Sequence, residues 1–80
     1  VMSNKQKYDE IFIEVFEVTG EQLNENLEYQ SIEPWDSVGH MALMAALEDE
    51  FDVMLEMDDI IDFGNYLTGI ETMKKYGVEM

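Results

Sequence analysis

The sequence predicts an all-α domain, a small four-helix bundle with three longer helices, one short helix and a long first loop. Three observations carry this. Apolar residues recur at three- and four-residue spacing, no alternating run is long enough for a substantial strand, and 80 residues allow a single domain, residues 1–80. A chain near this size buries only about 60% of its unfolded surface, which leaves no room for a deep, lidded cavity. The 46% hydrophobic content argues against simple disorder.

The first helix opens at Ser3, where Gln6 completes a capping box. Its apolar stripe is Tyr8, Ile11, Phe12, Val15 and Phe16, with Asp9, Glu10, Glu14 and Glu17 opposite. Gly20 is placed to end it in a left-handed turn. Residues 21–36 form the long connection, which Leu23, Leu27 and Ile32 are expected to pin across the helix ends. Pro34 makes Glu33 extended and closes that segment. The second helix spans residues 37–51. The short third spans residues 57–63, with Met57 or Asp58 as cap. The fourth spans residues 65–76 and is expected to bury Tyr66, Leu67, Ile70 and Met73. Lys74 and Lys75 complement its C-terminal dipole, and Gly77 stops it.

Charge narrows the function classes. Against 19 acidic residues stand 4 basic ones, for a formal net charge of -15. The basic residues are Lys5, Lys7, Lys74 and Lys75; between Tyr8 and Met73 there is neither Lys nor Arg. Such a surface repels nucleic-acid phosphates and anionic lipid, and it attracts basic protein surfaces. Like-charge repulsion favours a monomer and a fold that gains stability from salt. There is no Cys, which excludes disulfides, thiolate metal sites and a Cys nucleophile. No run approaches a membrane span and no apolar leader opens the chain, so a cytoplasmic protein without membrane insertion is expected.

The second helix holds most of the functional information. Stepping 100° per residue from Ser37 places Leu43, Leu47, Phe51, Met44 and His40 on one side, the expected core face. Val38, Met41 and Ala45 fall on another, with Ser37, Glu48, Asp49 and Asp52. That second strip reads either as a docking surface edged by acids or as the second packed side of a helix between two neighbours. Asp36 and Ser37 read by default as a helix cap, in a geometry that also suits a phosphate at the helix start.

The run Pro34-Trp35-Asp36-Ser37-Val38-Gly39-His40-Met41, followed by Leu43, Leu47, Glu48, Asp49, Glu50 and Phe51, resembles the signature of the acyl carrier protein family. That signature is Asp-Ser-Leu with an acidic Leu-Glu-x-Glu-Phe stretch downstream, and the resemblance extends over nearly the whole chain. It implies that a phosphopantetheinyl transferase attaches 4'-phosphopantetheine from coenzyme A to Ser37, using magnesium. The arm would supply the only thiol and hold acyl groups as thioesters. The chain would then be a non-catalytic carrier that presents them to acyl-loading, condensing or transfer enzymes with basic docking patches. Asp36, Val38, Met41, Ala45, Glu48 and Asp49 would be the partner-recognition residues. Residues near Ile60, Ile61 and Phe63 either add partner contacts or are core, and core is the favoured reading. The sequence departs from the family where acids usually stand two and five places after the serine: here are Gly39 and Ala42. Gly39 is expected to weaken the first turn by about 1 kcal/mol relative to Ala. The departures point to partners other than the usual ones, in fatty-acid, polyketide or related biosynthesis.

Three further readings compete with it. A hydrolytic trio of Ser37, His40 and Asp36 lacks a G-x-S-x-G elbow and a cleft for an oxyanion hole. The acids of residues 48–62 do not match a calcium-binding loop. The remaining alternative is a small acidic interaction domain, an adaptor that uses the Val38 and Met41 strip and carries no prosthetic group.

Overall fold

The computed structural model describes residues 1–80. It contains four helices, α1 (Asn4–Phe16), α2 (Ser37–Phe51), α3 (Met57–Asp62) and α4 (Tyr66–Lys75), with a 3-10 turn at Gly20–Gln22. No strand forms; one isolated bridge pairs Glu28 with Asn65. No helix is long and apolar enough to cross a membrane.

Helix α1 begins as expected, with Ser3 and Gln6 exchanging hydrogen bonds in a capping box. It ends earlier than expected. Glu17, not Gly20, adopts the left-handed conformation, at φ 56°. The reason is Val18, which is buried and draws the chain back onto the core. Burying a Val is worth about 1.5–3 kcal/mol, enough to offset a left-handed Glu at about 1–2 kcal/mol. Gly20 instead opens the 3-10 turn.

The long connection is anchored differently from the expectation. Leu27 is buried, but Leu23 and Ile32 are only half-buried, and the second full anchor is Trp35. Trp35 stacks on Phe16 with ring centroids 5.0 Å apart and meets Phe12 edge-on at 5.6 Å. Backbone bonds sew the loop to the start of α4: Tyr66 N donates to Leu27 O, and Tyr29 N to Gly64 O, both at 2.9 Å.

Helix α3 starts at Met57 as expected, but its cap is Glu56 rather than Met57 or Asp58, and it ends one residue early at Asp62. The Glu56 amide is held from outside the helix by the Tyr76 hydroxyl, at 2.9 Å. Helix α4 starts at Tyr66 with Asn65 as its cap, one residue later than expected, and is followed by Gly77 at φ 85°, as expected. Its inward residues are Tyr66, Gly69, Thr72 and Met73. Leu67 lies about 100° round from Tyr66 and is exposed, contrary to expectation. Gly69 is required for close packing, because a Cβ there would lie 2.2 Å from both the Phe63 ring and the Tyr8 hydroxyl.

The core is one layer of 15 buried residues centred on Phe12, which touches Tyr8, Phe16, Trp35, Phe63 and Tyr66. Every buried side-chain nitrogen and oxygen has a hydrogen-bond partner. The Tyr8 hydroxyl, for instance, donates to Tyr66 O at 2.7 Å, and burial pushes this phenol far above its ordinary range.

Candidate functional site

Asp36 and Ser37 divide the work of starting α2. Asp36 is the cap: its backbone is extended, its Oδ1 accepts from Gly39 N at 2.8 Å and its carbonyl from His40 N at 2.7 Å. Ser37 is the first helical residue and is exposed. Its Oγ lies 3.0 Å from the Tyr29 hydroxyl. The amides of Ser37 and Val38 donate to no group of the chain and stand in the first turn, at the positive end of the helix.

Gly39 has a packing reason. A Cβ there would stand 1.9 Å from Pro34 O and 3.3 Å from Phe16 Cε1. No acid, and not even Ala, fits at this position without moving backbone. The expected loosening of the first turn gives way to a close contact that only Gly permits. Ala42, the other departure, is exposed.

His40 fastens three segments together. Trp35 Nε1 donates to His40 Nδ1 at 2.9 Å, and an indole nitrogen can only donate. Nδ1 is therefore the acceptor, and Nε2–H donates to Ile60 O at 2.8 Å. The loop, α2 and α3 meet on this ring. The trio of Ser37, His40 and Asp36 does not assemble, because each side chain is hydrogen-bonded to a different group.

The outer strip of α2 is unpacked. Val38 is 79% exposed and Met41 53%, and Ala45 and Asp49 are exposed beside them. This decides between the two readings of the strip in favour of an open surface. Glu48 is different: it is half-buried, and its Oε2 accepts from Leu55 N at 2.8 Å, which fixes the turn after α2. Next to Ser37 an apolar cleft of about 340 Å³ opens between the loop, α2 and α3. Tyr29, His40 and Met41 line it together with Met57, Ile60 and Ile61 of α3. The expectation that Ile60, Ile61 and Phe63 are core holds for Phe63 only; Ile60 is half-buried and Ile61 is 69% exposed. Helix α3 has no fully buried residue, and the core it would have joined is already filled by aromatic rings. A larger depression of about 550 Å³ lies along α1, between Lys5, Asp9, Gly20 and Tyr66, away from Ser37.

Polar ties hold the far end of α3. Asp59 accepts from Lys75 Nζ at 2.6 Å and from the Tyr76 hydroxyl. These two donors hold its carboxyl below the ordinary carboxylate value, and the same contacts raise Lys75 and Tyr76. On α1, Lys5 bonds Asp9 and the Tyr66 hydroxyl. Burial pulls the Lys5 ammonium down, but those two partners outweigh it and the net shift is upward. No three His, Asp or Glu side chains converge to hold a metal ion.

Sequence reasoning missed Tyr29 and the Trp35–His40 pair. The available signal was two aromatic rings, Tyr29 and Trp35, in a connection whose other large apolar residues are only Leu23, Leu27 and Ile32, where each ring has to find cover or a partner. Searches against protein-family models, curated proteins and solved structures return no match for this chain.

Proposed function

We propose that the chain is a carrier of the acyl carrier protein type, modified on Ser37 with 4'-phosphopantetheine from coenzyme A. The observation that carries the reading is the exposed Ser37 hydroxyl at the first residue of α2, beside an apolar cleft of about 340 Å³. A helix N-terminus with two free amides suits a phosphodiester, with a dipole contribution of about 0.3–1 kcal/mol. The cleft gives apolar cover of the kind an acyl chain or the arm itself would use. When attached, the group supplies a thiol, absent from the chain itself, that holds acyl groups as thioesters.

The chain's own residues present that group and do no acyl chemistry themselves. Asp36 keeps the helix start formed. Val38, Met41, Ala45 and Asp49 form the face offered to partner enzymes, with the surrounding acids drawing in basic patches. Glu48 contributes mainly through the turn it stabilises. On this reading the protein is a cytoplasmic carrier that serves fatty-acid, polyketide or related biosynthesis. The absence of an acid beside Ser37 follows from Gly39's contact with Pro34, so it says less about the pathway than the sequence suggested.

The test is intact mass after incubation with coenzyme A, magnesium and a broad-specificity phosphopantetheinyl transferase. A gain of one phosphopantetheine, absent from Ser37→Ala, is the expected result. No gain on the folded protein with several transferases leaves the acidic adaptor, whose docking strip would be the same open face of α2.

A further inference from the structure

We infer that Tyr29 is a positioning residue for Ser37: its phenol orients the serine hydroxyl for modification and then holds the resulting phosphodiester at the mouth of the cleft. The inference rests on the carrier reading above and names a role within it that the resemblance does not supply.

The geometry begins with an isolated contact. Tyr29 is the side chain that hydrogen-bonds Ser37 Oγ, at 3.0 Å. A bond between two flexible surface side chains would orient little. This phenol, however, stands on a fixed support. Tyr29 N donates to Gly64 O at 2.9 Å, and the next residue, Gln30, turns at φ 66° and donates to Trp35 O at 2.8 Å. The Tyr29 ring meets His40 edge-to-face, with centroids 5.5 Å apart. His40 is in turn held by Trp35 and Ile60. The residue is 38% exposed and lines the cleft, so the hydroxyl is both reachable and placed.

A free serine hydroxyl at a helix start samples three staggered rotamers, and the phenol selects one of them. Either hydroxyl can donate in this bond, and the proposed role requires the phenol to be the donor. In the transfer, Ser37 Oγ forms a bond to phosphorus in the diphosphate of coenzyme A. The bond from that phosphorus to the oxygen of the adenosine bisphosphate half breaks, and the Ser37 proton passes to a base on the transferase. With Tyr29 donating, the Ser37 proton points away from the phenol and is free to leave. Once esterified, Ser37 Oγ has no proton and can only accept, as can the phosphate oxygens. A donating phenol therefore keeps its partner through the modification, whereas a donating serine would lose it.

The experiment compares the wild type, Tyr29→Phe and Ser37→Ala. Phe keeps the ring and its contact with His40 and removes only the hydroxyl. Transfer from coenzyme A is measured at steady state with one broad-specificity transferase, and both loaded proteins are then compared by phosphorus NMR. The expected result is a kcat lower by about three- to tenfold in Tyr29→Phe, with KM for the carrier within about twofold. The phosphodiester resonances of the two loaded proteins should also differ, a signature that stability alone would not move. Equal kcat values, or coincident phosphorus resonances, overturn the assignment. So does a loss confined to KM or one accompanied by lost helix signal, since either makes Tyr29 a docking or folding residue. Failure of the wild type to load overturns the carrier reading itself, and is distinguished by the absence of any mass gain.

Discussion

At the start of α2, neighbouring residues have separable effects on stability and function. Asp36 satisfies the Gly39 amide, so Asp36→Ala should cost about 1 kcal/mol in urea unfolding. Ser37 caps nothing, and its only side-chain bond is an exposed one to Tyr29. Ser37→Ala should therefore shift stability by no more than about 0.5 kcal/mol while abolishing loading. Gly39→Ala runs against ordinary helix propensity. Ala is the better helix former by about 1 kcal/mol, yet its Cβ would press on Pro34 O. The overpacking should win, leaving the variant less stable by about 1–3 kcal/mol in the same assay. A more stable Gly39→Ala would mean that the loop before α2 yields readily. The Asp36–Ser37 start was legible in the sequence because a cap is local. The reason for Gly39 was not, since it depends on where Pro34 and Phe16 come to rest.

The elements differ in what holds them. Helices α1, α2 and α4 contribute side chains to the core, and their stripes were readable because burial on one face leaves a period in the sequence. Helix α3 contributes none that is fully buried and is held instead by polar ties, His40 to Ile60 O on one side and Asp59 to Lys75 and Tyr76 on the other. Those ties span distant parts of the chain and leave no periodic signal, which is why the apolar residues of α3 read as core and turned out to line the cleft. The Asp59 tie has a defined pH dependence. Its carboxyl is held below the ordinary value of 3.8 by Lys75 and Tyr76, so the folded state binds this proton less readily than the unfolded state. The stabilisation is complete above that value and is lost as pH falls below it. Asp59→Asn should accordingly melt below the wild type at neutral pH, and the gap should close in strong acid. A gap that stays constant down to pH 2 would show that the carboxylate charge contributes nothing.

For the molecule as a whole, the opposing quantities are a thin aromatic core and a net charge of -15. The radius of gyration, 11.4 Å, is close to the roughly 11.6 Å expected for a folded chain of this length, and the charges are spread over a body 30 × 29 × 19 Å across, so they repel across the whole molecule only at low ionic strength, where the Debye length reaches about 30 Å. Three of the four lysines are already paired with acids. Added salt should therefore screen mostly repulsion. Raising NaCl from about 20 mM to about 0.5 M should increase Tm by about 5 °C or more in thermal melts followed by circular dichroism. An unchanged or lower Tm would place the net electrostatic balance on the side of the ion pairs. The fold class and the acidic face were legible at this scale from composition and spacing. The cleft was not, because it exists only where the loop, α2 and α3 meet.

The burial of Trp35 also gives the protein an optical reporter. It is the single tryptophan of the chain, fully covered, and its indole nitrogen is bonded to His40 at the edge of the cleft. Its emission should lie to the blue while the loop is seated and move to the red when the loop lifts. Circular dichroism follows the helices, so the two signals recorded on one sample separate loop release from helix melting. If the carrier proposal holds, a chain entering the cleft would press on His40 and change the brightness of a tryptophan that does not line it, making cargo visible without a label.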